Sequence, residues 1–86
     1  MKNKYILTPQ NEGQELSCRV KINCTKKEAV KVAAKMAGEI QAALLLQADI
    51  GVMVQTESEG LRGDAGIVAR WDGKILDGQT GNEIKI

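Results

Sequence analysis

Between residues 16 and 28 the chain changes its period, and that change dictates most of what it can fold into. Leu16, Cys18, Val20 and Ile22 alternate with Ser17, Arg19, Lys21 and Asn23. One side of this segment is apolar and the other polar, the pattern of a strand in a sheet covered on one face. Thr25-Lys-Lys-Glu28 follows at once as a capping box, in which the Thr25 hydroxyl accepts from the Glu28 N–H and the carboxylate reaches back. A helix is expected next. Ala29, Ala33, Met36, Ile40 and Leu44 recur at three- and four-residue spacing, with Val32, Ala37 and Ala43 widening the stripe. Gly38 interrupts this run at a cost of about 1 kcal/mol relative to Ala. The high helix propensity of 39–47 nevertheless carries the helix to about Gln47.

The remaining segments read as short strands. Residues 4–8 form a first strand that Pro9 should stop, because proline cannot donate to a ladder. A polar turn at 11–14 surrounds Gly13. Ile50, Val52, Val54 and Thr56 alternate with Gly51, Met53 and Gln55 as another half-buried strand. Residues 57–65 are charged and glycine-bearing, and read as a loop. A strand over 66–71 leads into Asp72-Gly73, a two-residue hairpin signal. Residues 74–76 return from it, and 83–86 make a last strand after two glycine turns. The expected architecture is α+β: one amphipathic helix packed on a single antiparallel sheet of four to five short strands, β-β-α-β-β-β or βαββ-like. Eighty-six residues, 43% hydrophobic and 27% charged, suit a single domain over 1–86.

What the chain lacks narrows its chemistry. It has no histidine, no phenylalanine and only two cysteines. A cysteine nucleophile would lack its usual base, and the carboxylates fall in turns or on exposed helix positions, so no enzyme is expected. Metal binding would need two soft ligands beyond Cys18 and Cys24, so neither a metal nor a cofactor is expected. Cys18 falls on the apolar side of its strand as a small hydrophobe, and a reducing compartment imposes no disulfide on the pair. Lys2 and Lys4 precede only Tyr5, Ile6 and Leu7, too short an apolar core for a signal peptide. The longest apolar run, 42–46, is far below the ~18 residues of a membrane span. A cytoplasmic protein without membrane contact is expected.

Charge supplies the candidate contacts. Eight of the twelve Lys and Arg lie before residue 48, and seven of the eleven Asp and Glu lie after it. Such a dipole favours oriented docking over general adhesion to a polyanion. Lys27, Lys31 and Lys35 line one helical face, which is either a solvated surface or a contact for phosphates or an acidic protein groove. Arg19 and Lys21 lie on the opposite side of the sheet, and two aromatic residues are too few for base stacking, which weakens a nucleic-acid reading. Gly60, Gly63 and Gly66 recur every three residues, but they lead into a strand and sit among Glu57, Glu59 and Asp64, so they read as a loop and not as an anion nest. By parity Trp71 shares a face with Ile67 and Ala69, which argues for the core. Its place beside a turn, next to Arg70, has instead the composition of an interface hot spot. The candidate partner-binding residues are therefore Lys27, Lys31, Lys35, Arg70 and Trp71.

The order of elements adds a resemblance. A Met-Lys start, Tyr5-Ile6-Leu7 with Pro9 after it, a polar loop, a half-apolar strand, a threonine-capped helix rich in alanine and lysine, and a hairpin together resemble the small phage-encoded anti-CRISPR proteins of βαββ layout that block type I surveillance complexes. The similarity is one of arrangement and covers about the first 40 residues; no functional residue carries over. It implies a protein of the host cytoplasm that binds a Cas subunit and obstructs target-DNA engagement. The near-neutral charge departs from acidic DNA mimics and favours steric obstruction. The leading expectation is a small inhibitor acting by protein–protein contact, as a monomer or homodimer. The alternatives are a nucleic-acid-binding regulator using the lysine face on phosphates, and an assembly module pairing through a strand edge.

Overall fold

The computed structural model describes residues 2–16, 18–44 and 47–85. The chain opens with strand β1, Asn3–Asn11, which turns tightly into the two-residue β2, Gln14–Glu15. Asn11 pairs with Gln14 across a two-residue loop in which Glu12 and Gly13 both have positive φ, 52° and 83°. That geometry matches the twist of a hairpin, and glycine adopts it without cost. Strand β3, Val20–Cys24, leads into helix α1, Lys26–Leu44, and then into β4, Ile50–Thr56. A short helix α2, Glu57–Arg62, precedes β5, Ile67–Arg70, and β6, Ile75–Asp77.

All pairings are antiparallel, in the order β2-β1-β4-β5-β6, with β3 also on β1. The fold is α+β, one main helix on an antiparallel sheet, with six strands where four to five were expected. Register puts Tyr5, Leu7 and Pro9 beside Thr56, Val54 and Val52, and these beside Ile67 and Ala69. This row faces α1, whose Ala29, Ala33 and Ala37 are completely buried against it. Small side chains four apart let the helix lie close while Leu7, Ile50 and Val52 supply the volume. The buried stripe runs through Val30 and not, as periodicity suggested, through Val32, which is 41% exposed. Leu44 is likewise exposed, while Met36 and Ile40 pack on the edge of the core.

Several boundaries differ from expectation. Pro9 does not stop β1, because its missing N–H would point away from β4. Its carbonyl, on that same side, accepts from Leu16 N at 2.9 Å. Pro9 thus sits where β1 changes partner, between the Leu7–Val20 and Gln10–Glu15 pairs. The chain leaves the ladder between those two strands, so alternation fails there and Cys18 is exposed instead of core-facing. Val20, Ile22 and Cys24 do pack against the core. Ser17 of the expected alternation lies outside the described residues, as do Leu45 and Leu46, over which α1 was expected to continue. Helix α1 does run on through Gly38.

The 57–65 loop contains α2, capped by Thr56 with Glu59 and closed by Gly63 in a left-handed conformation. The β5–β6 connection spans four residues, 71–74, closed by Arg70 N donating to Lys74 O at 2.8 Å and Gly73 N to Arg70 O at 3.0 Å, where a two-residue turn was expected. The last expected strand is reduced to a bridge between Leu76 and Glu83, and Ile86 lies outside the described residues. No helix among the described residues is long and apolar enough to cross a membrane.

Candidate functional site

The C-terminal segment folds back on β6 and, with α1, makes a groove. Asp77 organises the return: its Oδ1 accepts from Gln79 N at 2.8 Å and Thr80 N at 3.4 Å, and its own N donates to Asn82 O at 2.8 Å. Ile84 N then donates to Ile75 O at 2.8 Å, which sets Ile84 beside Ile75. The turn is pressed against the loop before β5. Gly78 N donates to Gly66 O at 2.8 Å, and a Cβ at Gly78 would stand 2.8 Å from that oxygen, so no larger residue fits.

Across from Ile75 and Ile84, helix α1 presents Val30 and Ala34. Lys27, Lys31 and Lys85 form the rim of the resulting groove, whose volume is about 420 Å³. The floor is aliphatic and the rim carries three ammonium groups. Every ion pair among the described residues uses an arginine: Arg19 with Glu15, Arg62 with Asp64, and Arg70 with Asp49 and Asp72. None of the groove lysines is held in an ion pair with a described residue, although Glu28 lies close enough to Lys31 to feel its charge. Lys35, a turn further along the stripe, is exposed but does not line the groove.

The groove begins where the helix is fixed. Glu28 N donates to Thr25 Oγ1 at 3.2 Å, and Thr25 N donates to Glu28 Oε1 at 3.1 Å. The Thr25 backbone N–H holds the Glu28 carboxyl below its ordinary value, helped by the Thr25 hydroxyl; desolvation opposes this, and Lys2 and Lys31 add lesser pulls downward. Cys24 shifts the other way: burial pushes its thiol up, with Glu28 adding to the effect and Lys2 opposing it.

Arg70 and Trp71 lie elsewhere. Strand β5 ends at Arg70, so parity lapses and Trp71 is 43% exposed, outside the core. Arg70 and Trp71 Nε1 both donate to Asp49 Oδ1, the indole at 3.1 Å. Asp49 is itself held, its N donating to Asn11 Oδ1 at 3.0 Å and its carbonyl accepting from Glu12 N at 3.1 Å. Gln41 reaches from α1 to the same stretch, donating to Ala48 O at 2.6 Å and accepting from Ile50 N at 3.0 Å. Arg70 and the Trp71 indole N–H therefore fasten the α1–β4 connection to the β5–β6 loop. Asp49, Gln41 and Asn11 are distant in sequence, and no local pattern marks them.

A second recess of about 440 Å³ lies between Tyr5, Lys26, Glu59, Asp64 and Asp77. Its carboxylates are already engaged: Glu59 with Thr56 N, Asp64 with Arg62, and Asp77 with its turn amides. Among the described residues no group of three or more Cys, Asp or Glu is placed to hold a metal ion. The lysine-rimmed groove has binding capacity that no contact among the described residues uses. No protein-family model, curated protein or solved structure matches the chain.

Proposed function

We propose that this is a binding protein that acts by protein–protein contact, taking an acidic segment with aliphatic side chains into the groove between α1 and the C-terminal return. The reading rests on the juxtaposition of Lys27, Lys31 and Lys85, uncompensated by any ion pair, with a floor of Val30, Ala34, Ile75 and Ile84. A phosphate backbone would use the three charges and leave the aliphatic floor idle. Single-stranded nucleic acid would want stacking surfaces, whereas Tyr5 is buried and Trp71 is tied to Asp49. An acidic amphipathic segment uses both halves of the site, the charges steering it and the floor retaining it.

The layout resemblance makes a type I surveillance complex the first partner to try, with obstruction of target-DNA engagement as the outcome and the cytoplasm of the host cell as the setting. Native mass spectrometry of that complex with the wild-type protein should show a stoichiometric gain in mass. The Lys27→Glu/Lys31→Glu variant should bind about tenfold more weakly or worse, a loss of about 1.4 kcal/mol. An unshifted complex removes the anti-CRISPR reading. Retained binding by the double variant removes the groove as its site. Affinity for duplex DNA that falls steeply with salt and vanishes in the double variant would establish the regulator instead.

A further inference from the structure

The molecule carries both halves of one contact on different surfaces. Leu61 is 86% exposed, the most exposed large apolar side chain among the described residues. It does not sit on a slack loop. Helix α2 is closed at its start by Glu59 N donating to Thr56 Oγ1 at 3.2 Å, and at its end by Asp64 N donating to Glu59 O at 2.9 Å. Gln55 Nε2 donates to Asp64 O at 2.7 Å and fastens that end to β4. The leucine is thus held out on a braced turn whose residues 57–64 carry Glu57, Glu59 and Asp64 against Arg62, with Asp64 paired to Arg62, Glu59 engaged in the cap and Glu57 free of any ion pair among the described residues.

An aliphatic knob on the acidic turn of α2 matches, in polarity and in sign, an aliphatic cleft among lysines beside α1. The two surfaces share no residue: α2 packs on β4 and β1, whereas the groove lies between α1 and the segment after β6. Both are anchored in the same sheet, so a chain cannot reach its own groove. We infer that a second copy of this chain docks there, inserting Leu61 from α2 between Val30, Ala34, Ile75 and Ile84 while Lys27, Lys31 and Lys85 face Glu57 and the net negative charge of the turn. The inference rests on reading the groove as a docking surface. It adds that the chain competes for its own groove with any foreign acidic segment. Such a contact is heterologous, joining unlike patches, and it propagates head to tail instead of closing a two-fold dimer.

Sedimentation equilibrium over a wide range of concentration tests it with two variants of exposed residues, Leu61→Asp with a disabled knob and Lys27→Glu/Lys31→Glu with a disabled groove. Wild type should grow in average mass with concentration and shrink with added salt. Each variant alone should stay monomeric. Mixed, they should form a one-to-one dimer that grows no further, because the intact knob of one fills the intact groove of the other. A wild type that remains monomeric throughout overturns the inference. So does a variant that still dimerises alone, which would mark a strand-edge pair, or a mixture that gives no heterodimer. Binding of the surveillance complex by a strictly monomeric wild type would overturn only the self-contact and leave the foreign partner standing.

Discussion

At Gly38 the helix carries a residue that its surroundings do not demand. A Cβ there would lie 3.9 Å from Trp71 O, an ordinary contact, and the helix runs through the position without a break. Gly38→Ala should therefore stabilise the fold by about 1 kcal/mol, read as a raised midpoint in urea denaturation with unchanged slope. A lowered midpoint would mean that the β5–β6 loop presses closer to the helix than this contact allows. Residue identity was a poor guide at Trp71 and Cys18. Alternation placed Cys18 in the core and offered the core as one of two readings of Trp71, and alternation holds only while the chain stays in a ladder. Cys18 falls between β2 and β3, Trp71 just beyond β5, and at each the backbone turns before parity can act.

At the scale of elements, α1 was legible from its first residue because its cap and its period agree. Its start also titrates. The Glu28 carboxyl is held low by the Thr25 N–H, so the folded state favours the charged form. The stabilisation is complete above the ordinary carboxylate range, about pH 4.3 in an unfolded chain, and is lost as pH falls through the lower folded value. Glu28→Gln keeps a capping partner without a titrating group. A plot of unfolding midpoint against pH should accordingly lose part of its acid limb in this variant, and an identical limb would remove Glu28 from the account. Helix α2 carries the same signature, Thr56-Glu-Ser-Glu59, yet glycines at 60 and 63 made the stretch look like a loop. Gly63 is in fact its stop signal. Six residues hold too few apolar positions for periodicity to show, so the cap was the only clue.

Across the whole molecule, the polar contacts at the α1–β4 connection join parts that local patterns treat separately. Asp49 draws Arg70 and Trp71 from the far hairpin, while Asn11 of β1 holds its backbone N–H and Gln41 of α1 holds the flanking Ala48 and Ile50. Asp49→Ala should cost about 1–2 kcal/mol, since the pair is partly solvated and Arg70 keeps Asp72. Trp71 is the sole tryptophan, so its emission should move to longer wavelength as the indole loses its acceptor. An unmoved spectrum would mean the ring is seated by packing alone. The sheet was legible as a class because its apolar faces are periodic. The groove was legible only on its helical side, through Lys27 and Lys31; Ile84 and Lys85 reach it through a turn that no spacing announces.

The shared partnership of β1 bears on how the chain behaves at high concentration. One side of β1 is divided between β3 and the two-residue β2, and the outer side of β6 is met by the returning C-terminal segment. Among the described residues only the five-residue β3 leaves a run of edge backbone groups without a strand partner, and it carries the polar Lys21 and Asn23 on its exposed face. A sheet without a long bare margin gives fibrils little to template on, so an aliphatic-rich chain can be crowded without seeding amyloid.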